Sequence, residues 1–233
     1  MIDSSGAAAL LLLWDIDGTL LQRAAVEHGR ALRRAAGAVH GVDLDGAEVE
    51  VAGRTDAAIA RDLLRGAGIA DAAIDARKAE VAAAVVQAYA PPDLSHTVAP
   101  GVPDALAALA AEPETYRLAL VTGNLEPVAH RKLAAAGIGH FFARGQGGFG
   151  SDAEERGELP AIARARAGGW ARERTVVIGD TPRDIACARA DGLRVVAVAT
   201  GPYGAEALAD ADAVVDSAEA VVPVLEDFAS AER

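Results

Sequence analysis

The chain has 233 residues, 52% of them apolar and only 4% aromatic, and a net charge of −12. That is material for one large domain, or for a core of about 150 residues with a smaller insertion, packed mainly by Ala, Leu and Val. The acidic balance argues against nucleic acid and anionic membranes as partners, since phosphate-rich surfaces are held mainly by Lys and Arg. A single cysteine, Cys187, rules out an intramolecular disulfide and a cysteine metal cluster.

The first element is the apolar run Leu10 to Trp14, read as a strand buried on both faces with Asp-Ile-Asp-Gly-Thr at its carboxyl end. The longer run Ala7 to Trp14 has no basic flank and is too short to span a bilayer, so the expected location is cytoplasmic. From Leu21 to Thr97 the pattern is helical without a convincing strand. Its helices are Ala24 to Ala36, Thr55 to Gly66 and Asp71 to Tyr89, the last ended by Pro91-Pro92. The chain then alternates. Strands are expected at Arg117 to Val121, Thr175 to Ile178 and Arg194 to Val198, with a weaker one at Val214-Val215. Helices are expected at Val102 to Ala111, Glu126 to Ala136, Ala153 to Ala167 and Pro182 to Ala190, with Cys187 packed in the core. This predicts an α/β fold. A Rossmann-like parallel sheet with helices on both faces would come from residues 1–20 and 98–233, and a helical cap from residues 21–97.

In open parallel sheets, ligands bind beyond the carboxyl ends of the strands. There the sequence places Asp15 and Asp17, then Thr122, Gly123 and Asn124, then Asp180, Thr181 and Asp184. Acids from separate strands at one edge repel unless a cation joins them, and oxygen donors suit Mg²⁺. Pro127 and Pro182 suit first helical turns, with Asn124 and Thr181 as N-caps, and a helix N-terminus offers free amides to a phosphate.

Asp15-Ile16-Asp17-Gly18-Thr19-Leu20 resembles the first motif of the haloacid dehalogenase superfamily of phosphohydrolases. Val121-Thr122-Gly123-Asn124 resembles the second, and Gly179-Asp180-Thr181-Pro182-Arg183-Asp184 the fourth. The resemblance implies a phosphatase acting on a small soluble phosphorylated metabolite. Asp15 would form an aspartyl-phosphate, and Asp17 would be the general acid and base. Asp15, the Asp17 carbonyl and Asp180 would hold Mg²⁺, with Asp184 in support, and Thr122 would bond the phosphoryl group. Asp17 disfavours dehalogenation. Lys78, the one lysine of the cap segment, is misplaced for the Schiff-base role of the phosphonate-cleaving branch. A sugar-phosphate mutase is disfavoured because Glu27 stands where that branch carries histidine, with His28 one step off. A catalytically idle binding protein is the remaining alternative.

Two arginines complete the expectation. Arg54, in Gly53-Arg54-Thr55-Asp56, sits where helical caps of the phosphoglycolate phosphatase-like group carry a substrate-facing loop. It would there reach a second anionic group of the substrate, the alternative being a surface arginine beside a Thr55 N-cap. The usual third-motif lysine is missing, and Arg156 is expected in its place. Lys132, two turns into its helix, is expected well away from the strand ends. The five histidines, scattered singly, are expected on the surface or in the core.

Overall fold

The computed structural model describes residues 9–230, so the ends of the sequence-defined core, residues 1–8 and 231–233, lie outside the described residues. Strand β1 (Leu10–Trp14) is wholly buried at the centre of the sheet. The chain then forms α1 (Val26–His40), α2 (Asp56–Gly66) and α3 (Asp71–Ala88) before the next strand. After α4 (Val102–Ala110) come β2 (Tyr116–Thr122), α5 (Glu126–Ala135), β3 (Gly147–Phe149) and α6 (Leu159–Arg166). The rest is β4 (Thr175–Gly179), α7 (Pro182–Ala190), β5 (Arg194–Val198), β6 (Ala213–Val215) and α8 (Val221–Ser230).

All six strands run parallel, in the order β3-β2-β1-β4-β5-β6. The period of two along β1 splits its side chains between two layers. Leu10, Leu12 and Trp14 meet α4, α5 and α8 through Leu106, Leu133 and Leu225. Leu11 and Leu13 meet α6 and α7 through Leu159, Ala163 and Ile185, and Cys187 packs in that layer. Each fully buried Leu contributes about 1.5–3 kcal/mol of apolar transfer.

The helical insertion α1–α3 has an apolar cluster of its own, built on Leu32, Leu63, Leu64, Ile74, Val81 and Val85, which continues into Leu125 and Val128 at the start of α5. Helix α5 therefore packs on the sheet through Leu133 and on the insertion through Val128. No helix among the described residues is long and apolar enough to cross a membrane.

Three features differ from the sequence reading. Strand β3 is an addition: Gly147-Gly148-Phe149 has no β-branched run, but it pairs in register with Leu120, Val121 and Thr122. The glycines fit because a Cβ on Gly148 would clash with the Leu159 backbone. Helix α6 starts at Leu159 rather than Ala153, because a turn and a short 3-10 segment, Arg156–Glu158, carry Arg156 inward first. Helix α8 closes the sheet although no helix was expected there.

Candidate active site

Asp15 follows β1, Thr122 ends β2 and Asp180 follows β4, so three adjacent strands deliver them to one edge. Helix α7 adds Asp184 by a capping box. The Thr181 hydroxyl accepts from the Asp184 amide at 3.2 Å, and Asp184 Oδ2 accepts from the Thr181 amide at 3.0 Å. That exchange fixes one oxygen of Asp184 and leaves Oδ1 for the site. Asp15, Asp180 and Asp184 each offer an oxygen, all within 4.8 Å of one another, and all three residues are buried. Asp180 fits only because Gly18 and Gly201 flank it: a Cβ on either would collide with its carboxylate, and Gly18 also needs its φ of 99°.

Arg156 is the cation of this cluster. Its Nη2 donates to Asp15 Oδ1 at 2.8 Å and to Asp184 Oδ1 at 2.5 Å, while its buried Nε has no partner. One guanidinium against three carboxylates leaves the cluster short of positive charge. Burial pushes the Asp15 pKa up, Arg156 pulls it down and the charge of Asp184 raises it again, leaving it at about 7. Burial, then the charges of Asp15 and Asp184, push Asp180 to about 8. Burial works against the charge of Arg156, yet Asp184 and Asp15 outweigh it and raise its pKa well above the ordinary value. Asp180 Oδ2 is buried and accepts no hydrogen bond. An orphaned carboxylate oxygen within an all-oxygen, undercompensated set is what a hard divalent cation fits.

The side chain of Asp17 belongs to a different group. Lys132 Nζ donates to Asp17 Oδ1 at 2.8 Å and to Oδ2 at 2.6 Å, and Lys132 is fully buried. This corrects the expected remote placement of Lys132. Helix side chains lean back toward the N-terminus, and the four-carbon stem of lysine covers more than a turn, so rise along the axis overstated the separation. Asn124 Nδ2 donates to Asp17 Oδ2 and to Thr122 Oγ1, both at 2.8 Å. Asn124 is therefore not the N-cap of α5; that position is Leu125, with no side-chain cap. Burial raises the Asp17 pKa, but the charge and hydrogen bonds of Lys132, aided by Asn124, outweigh it and hold it below the ordinary carboxylate range.

The helical insertion closes over this edge. The amide of Asp56 donates to the Gly123 carbonyl at 2.8 Å, and its carboxylate accepts from the Leu125 amide at 2.8 Å. Gly123 permits the approach, since a Cβ there would overlap the Arg54 carbonyl. The cavity enclosed is about 520 Å³ and is lined by Asp15, Asp17, Thr122, Asn124, Arg54 and Arg156, among others. Arg54 lines it, but its guanidinium donates to Asp62 at 2.6 Å. Sequence reasoning missed His28 as well as Lys132. His28 is buried and lines the cavity, with Nε2 3.1 Å from Asp56 Oδ2 but out of hydrogen-bond alignment, whereas Glu27 faces outward and pairs with Arg30. The helical phase of α1 decides this, and one residue of phase is about 100°.

A family model described as haloacid dehalogenase-like hydrolase matches residues 12–189, and a second, HAD-hydrolase-like model matches residues 157–228. A search of curated proteins returns no match. Solved structures share the fold at low identity. A β-phosphoglucomutase from Clostridium difficile is 16% identical over 97% of this chain and 99% of its own, with a TM-score of 0.67. A haloacid dehalogenase-like hydrolase from Streptococcus pneumoniae is 18% identical over 93% and 98%, with a TM-score of 0.60. CbbY from Rhodobacter sphaeroides, solved in complex with xylulose-(1,5)bisphosphate, is 21% identical over 91% and 96%, with a TM-score of 0.63.

Proposed function

Because the chain belongs to the haloacid dehalogenase-like hydrolase family, whose model spans residues 12–189, we propose that it is a Mg²⁺-dependent phosphatase acting on a small phosphomonoester, with α1–α3 as a cap over the site. The observation that carries this reading is the buried Asp15–Asp180–Asp184 cluster, with its unpaired Asp180 oxygen, which meets the cavity through Asp15. Asp15, Asp180 and Asp184 would hold Mg²⁺, which supplies neutralisation of the charge gathering on the phosphoryl oxygens.

The chain's own groups do the rest. Asp15 attacks phosphorus, the bond from phosphorus to the ester oxygen breaks, and an aspartyl-phosphate forms. Arg156 holds the Asp15 carboxylate and lines the cavity, which puts its guanidinium beside the reacting phosphoryl group. Thr122 supports the phosphoryl group from the end of β2, its hydroxyl left to donate because it accepts from Asn124. Asp17 then takes a proton from water as that water attacks phosphorus, which frees Asp15 and releases inorganic phosphate. Lys132 keeps Asp17 ionised, which suits this second half. In the first half the departing oxygen needs a proton from Asp17, so a substrate must either loosen the Lys132 contact or carry a leaving group that departs without one.

The direct test is phosphate release from phosphorylated metabolites and p-nitrophenyl phosphate with Mg²⁺, without it, and in Asp15→Asn. Turnover should need Mg²⁺ and vanish in Asp15→Asn while the fold persists; activity in a clean Asp15→Asn preparation would refute the mechanism. A second reading, a sugar-phosphate mutase, is favoured by one observation: His28 lies in the cavity beside Asp56. Conversion of a hexose 1-phosphate to its 6-phosphate, faster than phosphate release, would select it.

A further inference from the structure

Five arginines line the cavity above Asp15 and Asp17: Arg23, Arg30, Arg33, Arg54 and Arg156. Four are engaged. Arg156 holds Asp15 and Asp184, Arg54 holds Asp62, Arg33 donates to the carbonyls of Ala47 and Gly29, and Arg30 pairs with Glu27. Arg23 is exposed and makes no hydrogen bond or ion pair among the described residues.

Arg23 is also the one non-glycine residue among those described with a positive φ, 57°. An L side chain is disfavoured there and persists only where the surroundings enforce it, and such residues gather at ligand clamps. Here the chain is pinned on both sides. Leu21 bridges to Asp17 and to Val98, the Gln22 amide donates to the Thr97 carbonyl at 2.7 Å, and α1 begins at Val26. The strained backbone thus holds an unpaired guanidinium at the cavity wall. Among the described residues, the two large hydrophobic ones that stand exposed, Val26 at 58% and Val51 at 47%, line the same cavity and offer an apolar surface to a carbon skeleton.

The reacting phosphate is accounted for by Asp15, Arg156 and the acid cluster, so Arg23 remains for a different group. Resting on the phosphatase reading for which end reacts, we propose that Arg23 is a specificity residue that receives a second anionic group on the substrate. The substrate class is then a phosphomonoester whose far end carries a carboxylate or a second phosphate. A planar, always charged fork binds either one through two donors.

The test is a ladder of ω-carboxyalkyl phosphates of increasing spacer length, each beside its methyl ester, with the matching α,ω-bisphosphates as a second arm. In the wild-type protein one spacer length should show kcat/KM for the acid or the bisphosphate at least roughly tenfold above its neutral partner, the scale of one charge-assisted hydrogen bond; the arm that shows it identifies the group. Arg23→Gln should collapse that preference toward one, whereas Arg54→Gln should keep it. Arg23→Gly should also lose the preference while melting no lower than wild type, because glycine accepts the positive φ. A preference unchanged in Arg23→Gln, or no preference at any length, overturns the assignment. The same pairs measured by calorimetric binding to Asp15→Asn need no turnover. Preference in binding without hydrolysis by the wild type would keep Arg23 and refute the phosphatase; hydrolysis without preference would do the reverse.

Discussion

Lys132 shows how far one side chain can redirect a site. Its ammonium contacts both oxygens of Asp17, and it is itself 0% exposed while Asp17 is 27% exposed. Removing one partner of a buried pair leaves the other charge uncompensated, at about 3–5 kcal/mol, and the partial exposure of Asp17 puts Lys132→Met toward the low end. The Lys132→Met, Asp17→Asn double variant should recover most of that loss in urea melts; simple additivity would deny the coupling. The same contact sets a pH response. Lys132 lowers the Asp17 pKa, so a reaction that uses Asp17 as a base stays active to lower pH. In Lys132→Met, with a substrate for which hydrolysis of the aspartyl-phosphate limits turnover, the acidic limb of the kcat profile should therefore move toward higher pH, with a fall of about tenfold in kcat, or roughly 1.4 kcal/mol of barrier. An unmoved limb would separate Lys132 from the chemistry. The acids at the strand ends were legible in the sequence because they stand at fixed steps from strands and turns, and Arg156 through the resemblance to the family's third motif. Lys132 and His28 were not, because what brings them to the site is the phase and lean of a helix relative to its neighbours.

At the scale of elements, the insertion meets the core through main chain and ion pairs as well as through its apolar contact with Leu125 and Val128. The reciprocal bonds of Asp56 with Gly123 and Leu125 tie the first turn of α2 to the loop that carries Thr122 and Asn124. Beside them, Arg61 pairs with Glu154, and Arg183 holds Glu50 through two contacts of 2.7 Å. Glu50 is exposed, so that second pair contributes little and weakens with salt. The backbone contact has no such tolerance. Gly123→Ala would place a methyl group against the Arg54 carbonyl and the Thr55 backbone and force the insertion off the sheet. We expect kcat/KM to fall about a hundredfold, or roughly 2.7 kcal/mol, with faster proteolysis between residues 48 and 56. Near wild-type kinetics would show that the closed contact is dispensable. The strands rich in Leu and Val and the capped helices could be read from pattern, whereas β3 could not. A Gly-Gly-Phe strand is defined by the neighbours that accept it, Leu120 to Thr122 on one side and the Leu159 backbone above, and not by its own propensity.

Taken whole, the molecule concentrates uncompensated acid at one edge, and its stability should register this. Asp15 and Asp180, ordinarily near 3.8, are raised to about 7 and about 8 in the folded protein. A carboxyl group with a raised folded pKa makes the native state bind more protons than the unfolded one. These two groups therefore favour folding most below pH 3.8, and their contribution falls as pH rises through about 7 and about 8. Mg²⁺ needs the ionised forms, so its stabilising increment should grow across the same window, from small near about pH 5.5 to large near about pH 8.5. Scanning calorimetry with and without Mg²⁺ at each pH reads this directly, and an increment independent of pH would place the metal elsewhere. The sheet order has a consequence of another kind, for synthesis. Strand β1 is made first, yet its two neighbours are the segments that begin at Tyr116 and Thr175. On a translating ribosome, Leu-Leu-Leu-Leu-Trp must therefore wait for some 165 residues before both edges are paired, about ten to thirty seconds at ~5–20 residues per second. Throughout that interval the nascent chain carries its most apolar segment without its partners, while the insertion, which follows directly and has its own apolar cluster, is free to condense beside it. A trigger-type chaperone that engages nascent chains early, and releases them only after β4 emerges, would be matched to this order of events.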